Sequence, residues 1–491
     1  MISQQQFQNY AEQGYNRIPI VREVLSDLDT PLSVYLKLAD GPNTYLFESV
    51  EGGETWGRYS IIGLPAKRRF VFRDKSCEEQ VFGETVSTED LADPLAHVDA
   101  LRNRFKVPQI PELPDFSGGL VGYFGFETIA WIEPKLLPSI KPDSLNVPDA
   151  LLLLSEEIAV FDSLKGRLYF IVHADPAESQ AYVKAQRRLD ELVYRLRQSG
   201  SSYPDVLHPS CLNEADFVSG FSEPEFKAAV NKVKDYIRSG DAFQVVLSQR
   251  MSIPFRARPV DVYRALRALN PSPYMYFMDL DGYQVVGSSP EILVRAKHGK
   301  VTLRPIAGTR HRGEDAEQDL ALEQELLSDE KECAEHLMLI DLGRNDVGRV
   351  AKPNTVEVTQ RFMIEKYSHV MHIVSQVEGE LKPELGFAEI FRATFPAGTV
   401  SGAPKIRALE IIQELEPTKR HIYSGAVGYI NWWGDTDTAI AIRTAVIVDG
   451  MLHVQAGAGI VYDSQPELEW QETMNKGRAL FRAVQHAAQG L

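Results

Sequence analysis

Leu452-His453-Val454-Gln455-Ala456-Gly457-Ala458-Gly459-Ile460, and then Ser464-Gln465-Pro466-Glu467-Leu468-Glu469-Trp470-Gln471-Glu472-Thr473, is the stretch on which the reading of this chain turns. A strand-like run over 452–456 leads through a Gly-rich turn to a helix over 464–488. Ser464 reads as the N-cap, Pro466 sits in the first turn and Glu467 completes a capping box. A Gly-rich turn before a helix N-terminus offers backbone N–H groups and a dipole to an anion, although most such turns bind nothing. Glu469, Glu472 and Lys476 share one helix face. For a single helix the ordinary reading is a solvated face with Glu–Lys pairs. A second segment, Lys331-Glu332-Cys333-Ala334-Glu335-His336, repeats the spacing with Glu332 and Glu335. Four converging acids repel one another unless a cation sits among them. Oxygen donors without a thiolate favour Mg²⁺ over zinc.

Working outward, Ser222-Glu223-Pro224-Glu225 opens a helix whose stripe is Phe226, Val230, Val233 and Ile237, and Gly240 ends it. Strand-like runs follow at 242–253, 283–288, 292–296, 355–360, 424–431 and 438–448. Helices are expected over 314–341, 384–394 and 402–416. Upstream, strand-like runs at 159–161 and 167–172 precede an amphipathic helix carrying Val183, Leu189, Leu192, Val193 and Leu196. This pattern divides the chain into an N-terminal domain (1–200), a linker rich in Ser, Pro and Gly (201–221) and a catalytic domain (222–491). Strands and helices come in clusters without regular alternation, which favours α+β over a doubly wound parallel sheet.

The longest apolar run, near Ala150–Leu154, is far too short to span a bilayer, and the first residues lack the features of a signal peptide. Three widely spaced cysteines, Cys77, Cys211 and Cys333, suggest neither a disulfide framework nor a zinc site, so a reducing cytoplasm is expected. A net charge of −16 argues against nucleic acid and anionic membrane as partners. It does not exclude a small anionic substrate, which would need a metal ion and local cations against that field.

Such cations are present. Arg443 lies in the otherwise uncharged run Thr438–Thr444, where it would hold a carboxylate of the protein or of a ligand. Phe395-Pro396-Ala397-Gly398-Thr399-Val400-Ser401-Gly402-Ala403-Pro404-Lys405 lacks the ending of a nucleotide-binding loop. Arg304-Pro305-Ile306-Ala307-Gly308-Thr309-Arg310 reads as a further tight turn. His369 and His372 share one amphipathic stretch, and a lone His is more often a packed residue than a catalyst.

Together, Ser401–Lys405, Pro305–Thr309, Lys331–His336, Ala456–Ile460 and the helix from Glu467 to Lys476 resemble the chorismate-utilising enzymes, most closely the large subunit of anthranilate synthase. The likeness is dense over about 222–488 and thinner at Phe47–Gly53 and Gly57–Ser60. It implies two β-sheets packed as a sandwich, with flanking helices around a central cleft. It implies a Mg²⁺-dependent lyase of the oxo-acid class that converts chorismate and ammonia to anthranilate and pyruvate for tryptophan biosynthesis. Glu332, Glu335, Glu469 and Glu472 match the metal-site acids. Tyr423 and Arg443 match the clamp on the enolpyruvyl carboxylate. Gly457, Gly459 and Lys476 match groups around the ring carboxylate, with Gly308 and Thr309 lining the same pocket. Glu291 matches the acid that protonates the departing C4 hydroxyl, and His372 the histidine associated with pyruvate loss. Thr399 and Gln244 complete the expected catalytic set.

Two positions separate branches of the family. Aminodeoxychorismate synthases typically carry Lys where Ala307 stands, and isochorismate and salicylate synthases a water-activating Lys where Gln244 stands. Their absence here implies ammonia as the nucleophile; aminodeoxychorismate synthase and a catalytically silent tryptophan-sensing relative are the alternatives. No Gly-x-Cys-x-Gly elbow surrounds any cysteine, so a separate glutamine amidotransferase subunit is the implied ammonia source. Glu48, Ser49, Pro273, Tyr274, Met275, Val427 and Tyr429 match the pocket through which regulated members bind tryptophan as a feedback inhibitor.

Overall fold

Ala150–Ser155 is apolar in five successive positions, and the computed structural model shows why: it is a strand buried on both faces. Leu151 and Leu153 point into a core between two sheets, whereas Ala150, Leu152 and Leu154 join a core beneath helices. The structure describes residues 2–49, 57–136, 141, 143–198, 211–367 and 370–491. Residues 50–53 of the Phe47–Gly53 stretch, residues 201–210 of the expected linker, and His369 lie outside these.

Among the described residues two twelve-stranded antiparallel sheets stack face to face, giving the expected α+β sandwich. Tyr45, Val160, Tyr276 and Val446 from the first sheet meet Val71, Tyr123, Leu151 and Val427 from the second. Helices Pro31–Leu38, Ala181–Gln198, Pro259–Leu269 and Pro466–Gln489 cover the outer face of the first sheet. Pro94–Asn103, Phe387–Thr394 and Glu330–Val350 cover that of the second. Both sheets draw strands from residues 1–200 and from 222–491. In the first, Thr44–Glu48 pairs with Tyr274–Asp279; in the second, Gly119–Phe124 pairs with Ala426–Asn431.

The chain crosses from one sheet to the other several times between consecutive strands, and two of these steps matter for the site. Tyr283–Ser289 lies in the first sheet and Ile292–Lys297 in the second, with Glu291 at the step. Thr436–Ile440 and Thr444–Val448 make the reverse step through Arg443, whose φ is +51°. The expected continuous run over 438–448 is therefore two strands in different sheets. The two steps are neighbours: Ile440 N–H donates to Glu291 O (3.0 Å) and Ser288 N–H to Arg443 O (3.1 Å).

Other local expectations also change. Gly457 and Gly459 are not in a turn but inside the strand Met451–Ile460, paired with Ser248 and Val246 of Gln244–Pro254. They are glycine because other groups approach closely: a Cβ at Gly457 would lie 3.0 Å from the Tyr423 hydroxyl, and one at Gly459 2.8 Å from Gln244 Nε2. The helix begins at Pro466 with Gln465 as N-cap, while the Ser464 hydroxyl accepts from Val461 N–H and Glu467 pairs with Lys227. The supposed turn at 304–310 contains the strand Ile306–His311, bulged at Gly308 (φ +69°). The long helix over 314–341 is two helices, Ala316–Ser328 and Glu330–Val350. Asp329 breaks it by accepting the N–H groups of Lys331 and Glu332. The Ser222–Glu225 capping box forms as expected.

Candidate active site

The expected catalytic and substrate-binding residues are linked by short contacts in one region, where the resemblance places its cleft. Its walls are the strands Gln244–Pro254 and Met451–Ile460 on one side and Ile306–His311 and Val370–Glu380 on the other. From the step between sheets, the buried Glu291 carboxylate accepts a hydrogen bond from Thr399 Oγ1 (2.9 Å). Burial raises its pKa to about 8, opposed by the Thr399 bond and by the charges of Arg443 and Lys476. Glu291 therefore keeps a proton at neutral pH.

His372 behaves oppositely. Burial lowers its pKa to about 4, so the ring is neutral. Nδ1 lies 3.0 Å from Gly308 O and 3.0 Å from Thr309 Oγ1. A carbonyl only accepts, so Nδ1 carries the hydrogen and Nε2 is left as the acceptor.

Arg443, on the other step, has its pKa lowered by burial, with Tyr423, Glu291 and Glu472 as its nearest charge partners. Among the described residues no carboxylate forms an ion pair with it. Lys476 Nζ donates to Gly457 O (2.9 Å) and pairs with Glu472 (2.6 Å).

The four metal-candidate acids sit in the first two turns of the helices Glu330–Val350 and Pro466–Gln489, and Lys331 of the first pairs with Asp463, just before the second (3.1 Å). Glu335 accepts from Gln244 Nε2 (3.1 Å), and Arg310 approaches Glu332 at 3.4 Å. The pKa of Glu332 is raised by burial and then by Glu335, and that of Glu469 by burial and then by Glu472. A divalent cation would relieve both pairs, and an all-oxygen donor set suits Mg²⁺. As the side chains stand, no three acidic, His or Cys side chains converge on one point among the described residues. Arg310 was not singled out by sequence, although it ends the Gly308-Thr309 segment and balances Glu332.

The seven residues expected at a second site all line one other cavity, of about 330 Å³, at the junction of the two segments. The buried Glu48 carboxylate is already held by Arg267 Nε (3.0 Å) and by the Tyr263 hydroxyl. Sequence reasoning missed Arg295 and Asp437, which face Tyr274 there (Arg295–Asp437 2.7 Å, Tyr274 Oη–Asp437 2.7 Å).

Fold and cleft define a chorismate binding enzyme: the chain belongs to that family, whose pattern matches residues 45–482. It is 56% identical over 491 residues, all of both chains, to anthranilate synthase component 1 of Pseudomonas aeruginosa. Among solved structures it superposes on anthranilate synthase component I of Streptococcus pneumoniae with a TM-score of 0.77 and 38% identity, covering 93% of this chain and 99% of that one. The menaquinone-specific isochorismate synthase of Escherichia coli shares the fold alone, with a TM-score of 0.71 at 20% identity over 98% of each chain. Among the described residues no helix is long and apolar enough to cross a membrane.

Proposed function

We propose that this chain converts chorismate and ammonia to anthranilate and pyruvate in tryptophan biosynthesis, as an oxo-acid lyase. One observation carries the reading: the buried Glu291 and Arg443 stand at neighbouring steps between the sheets, and no described carboxylate forms an ion pair with Arg443. That pairing suits a substrate with a carboxylate to clamp and a hydroxyl to expel.

Arg443 and Tyr423 hold the enolpyruvyl carboxylate, while Lys476 and the backbone near Gly457 and Gly459 face the ring carboxylate. Ammonia adds at C2. Glu291 passes its proton to the C4 oxygen, which leaves as water. The ammonium formed at C2 sheds a proton, which restores Glu291; His372, neutral and with Nε2 open, then takes the C2 hydrogen as the C3–O bond breaks and the ring becomes aromatic, and that proton returns to the methylene carbon of the departing enolpyruvate to give pyruvate. Gln244 and Ala307 offer no amine to compete with ammonia. Mg²⁺, held by Glu332, Glu335, Glu469 and Glu472, would supply Lewis-acid polarisation of the ring carboxylate.

A separate glutamine amidotransferase subunit supplies the ammonia; the name component 1 of the relatives fits a second component, and no cysteine of this chain lies in a glutaminase elbow. The 330 Å³ cavity takes tryptophan as a feedback inhibitor, with Glu48 facing its ammonium and Met275, Val427 and Tyr429 its ring. Incubating the chain with chorismate, Mg²⁺ and ammonium should yield anthranilate and pyruvate in equal amounts. 4-Amino-4-deoxychorismate in their place would overturn the proposal. Calorimetry should detect tryptophan binding, lost in Glu48→Gln; unchanged binding in that variant would remove tryptophan from this cavity.

A further inference from the structure

One buried ion pair lies outside the groups that line the cleft, yet its bonds reach the segments that carry them. Arg420 and Glu416 are 2% and 3% exposed. Arg420 donates from Nε to Glu416 Oε2 (2.8 Å) and from Nη2 to Oε1 (2.6 Å). Its remaining N–H groups reach Val400 O (2.7 Å), Val246 O (2.7 Å) and Ser424 Oγ (3.3 Å). Every donor of the guanidinium is thus used. Its Cζ lies 4.5 Å from the Phe126 ring centroid and 5.7 Å from that of Tyr423. Glu416 Oε1 also accepts the backbone N–H and hydroxyl of Ser248, each at 2.8 Å.

Stability alone accounts poorly for this arrangement. Desolvating two charges cancels much of their attraction, and an apolar pair of similar volume is often as stable. An apolar pair cannot, however, fix three separate segments in register, which a planar fork of donors does. Val400 follows Thr399, the donor to Glu291. Val246 and Ser248 belong to the strand of Gln244, and Ser248 stands opposite Gly457. Ser424, held at φ +63°, follows Tyr423. Glu127, far away in sequence, accepts the backbone N–H groups of Arg420 (2.8 Å) and His421 (2.9 Å) and so anchors the same loop.

We propose that Arg420, oriented by Glu416, is a positioning residue of the cleft that sets Thr399, Tyr423 and Gly457 together; this rests on the chorismate reading above. The test is steady-state kinetics with chorismate, Mg²⁺ and ammonium on the wild type, Arg420→Lys and the double variant Arg420→Met with Glu416→Leu. Lysine keeps the charge without the fork. The double variant strands no charge, so it is expected to fold even where the single one does not. Folded variants should lose on the order of 100-fold in kcat/KM, with a raised KM for chorismate. The alkaline limb set by Glu291 should move to higher pH, because Thr399 no longer steadies its carboxylate. A packing role would lower the melting temperature and leave KM and the limb in place. That result in either folded variant, or unfolding of both, overturns the proposal. An inactive wild type would instead overturn the chorismate reading.

Discussion

Replacing Glu291 by Gln removes one proton and almost nothing else, which makes it the sharpest test of the cleft chemistry. Gln is nearly isosteric and can still accept from Thr399. In the wild type the pKa is raised from 4.5 to about 8 by burial, so an ionised carboxylate there costs about 5 kcal/mol relative to water. That cost keeps the proton available at neutral pH. Its loss should lower kcat by about 10²–10⁴-fold, with little change in KM for chorismate. The wild-type kcat should fall above about pH 8, and the variant's residual rate should lack that limb. Rates must be expressed per free ammonia, because ammonium deprotonates over the same range. Stability supplies a second reading with a fixed sign. A folded pKa raised above 4.5 contributes stability that is full below pH 4.5 and is lost as pH rises through about 8. Thermal melts should therefore show the variant gaining on the wild type as pH rises from 4.5 to about 8, with the difference constant above that. A kcat within threefold of wild type, or a wild-type profile flat well beyond pH 8, would refute the reasoning.

Arg443→Lys keeps a charge but loses the planar fork, so KM for chorismate should rise roughly 10- to 100-fold while kcat falls less; an unchanged KM would remove Arg443 from the clamp. Gly457→Ala places a methyl group 3.0 Å from the Tyr423 hydroxyl and 3.1 Å from Leu247 O, where backbone cannot yield. Chorismate binding measured by calorimetry should weaken about tenfold as Tyr423 is displaced. Glu332→Gln relieves the repulsion from Glu335, so the metal-free protein should melt higher while Mg²⁺ affinity, titrated calorimetrically, drops about tenfold or more. A variant that binds Mg²⁺ as the wild type does would exclude Glu332 from the metal site.

The helices of the cleft were legible because their signals are local. The Ser222–Glu225 box, Pro466 and the acid pairs act within one or two turns, so periodicity finds them. Sheet membership was not legible. Thr438–Val448 reads as one uninterrupted apolar strand, and only tertiary pairing shows the break at Arg443. The glycines of 457–459 read as a turn because sequence shows missing side chains but not the hydroxyl and amide that fill their space. Glu291 drew notice only through a resemblance, since its proton comes from burial that no spacing encodes. Arg420 and Glu416 carry no local signal in the sequence, because their burial comes from segments remote in the chain.

The sharing of both sheets by distant parts of the chain also dictates how the molecule must be made. Thr44 pairs with Asp279, and Phe124 with Ala426. A ribosome releasing this chain therefore exposes the 44–48 and 119–124 strands long before their partners exist. Contacts so remote in sequence make folding slow, and unpaired apolar strands attract one another between nascent chains in the meantime. Premature termination anywhere before the 426–431 strand leaves an open edge in the second sheet. Such products should aggregate rather than persist as half-active fragments, so the gene behaves as indivisible.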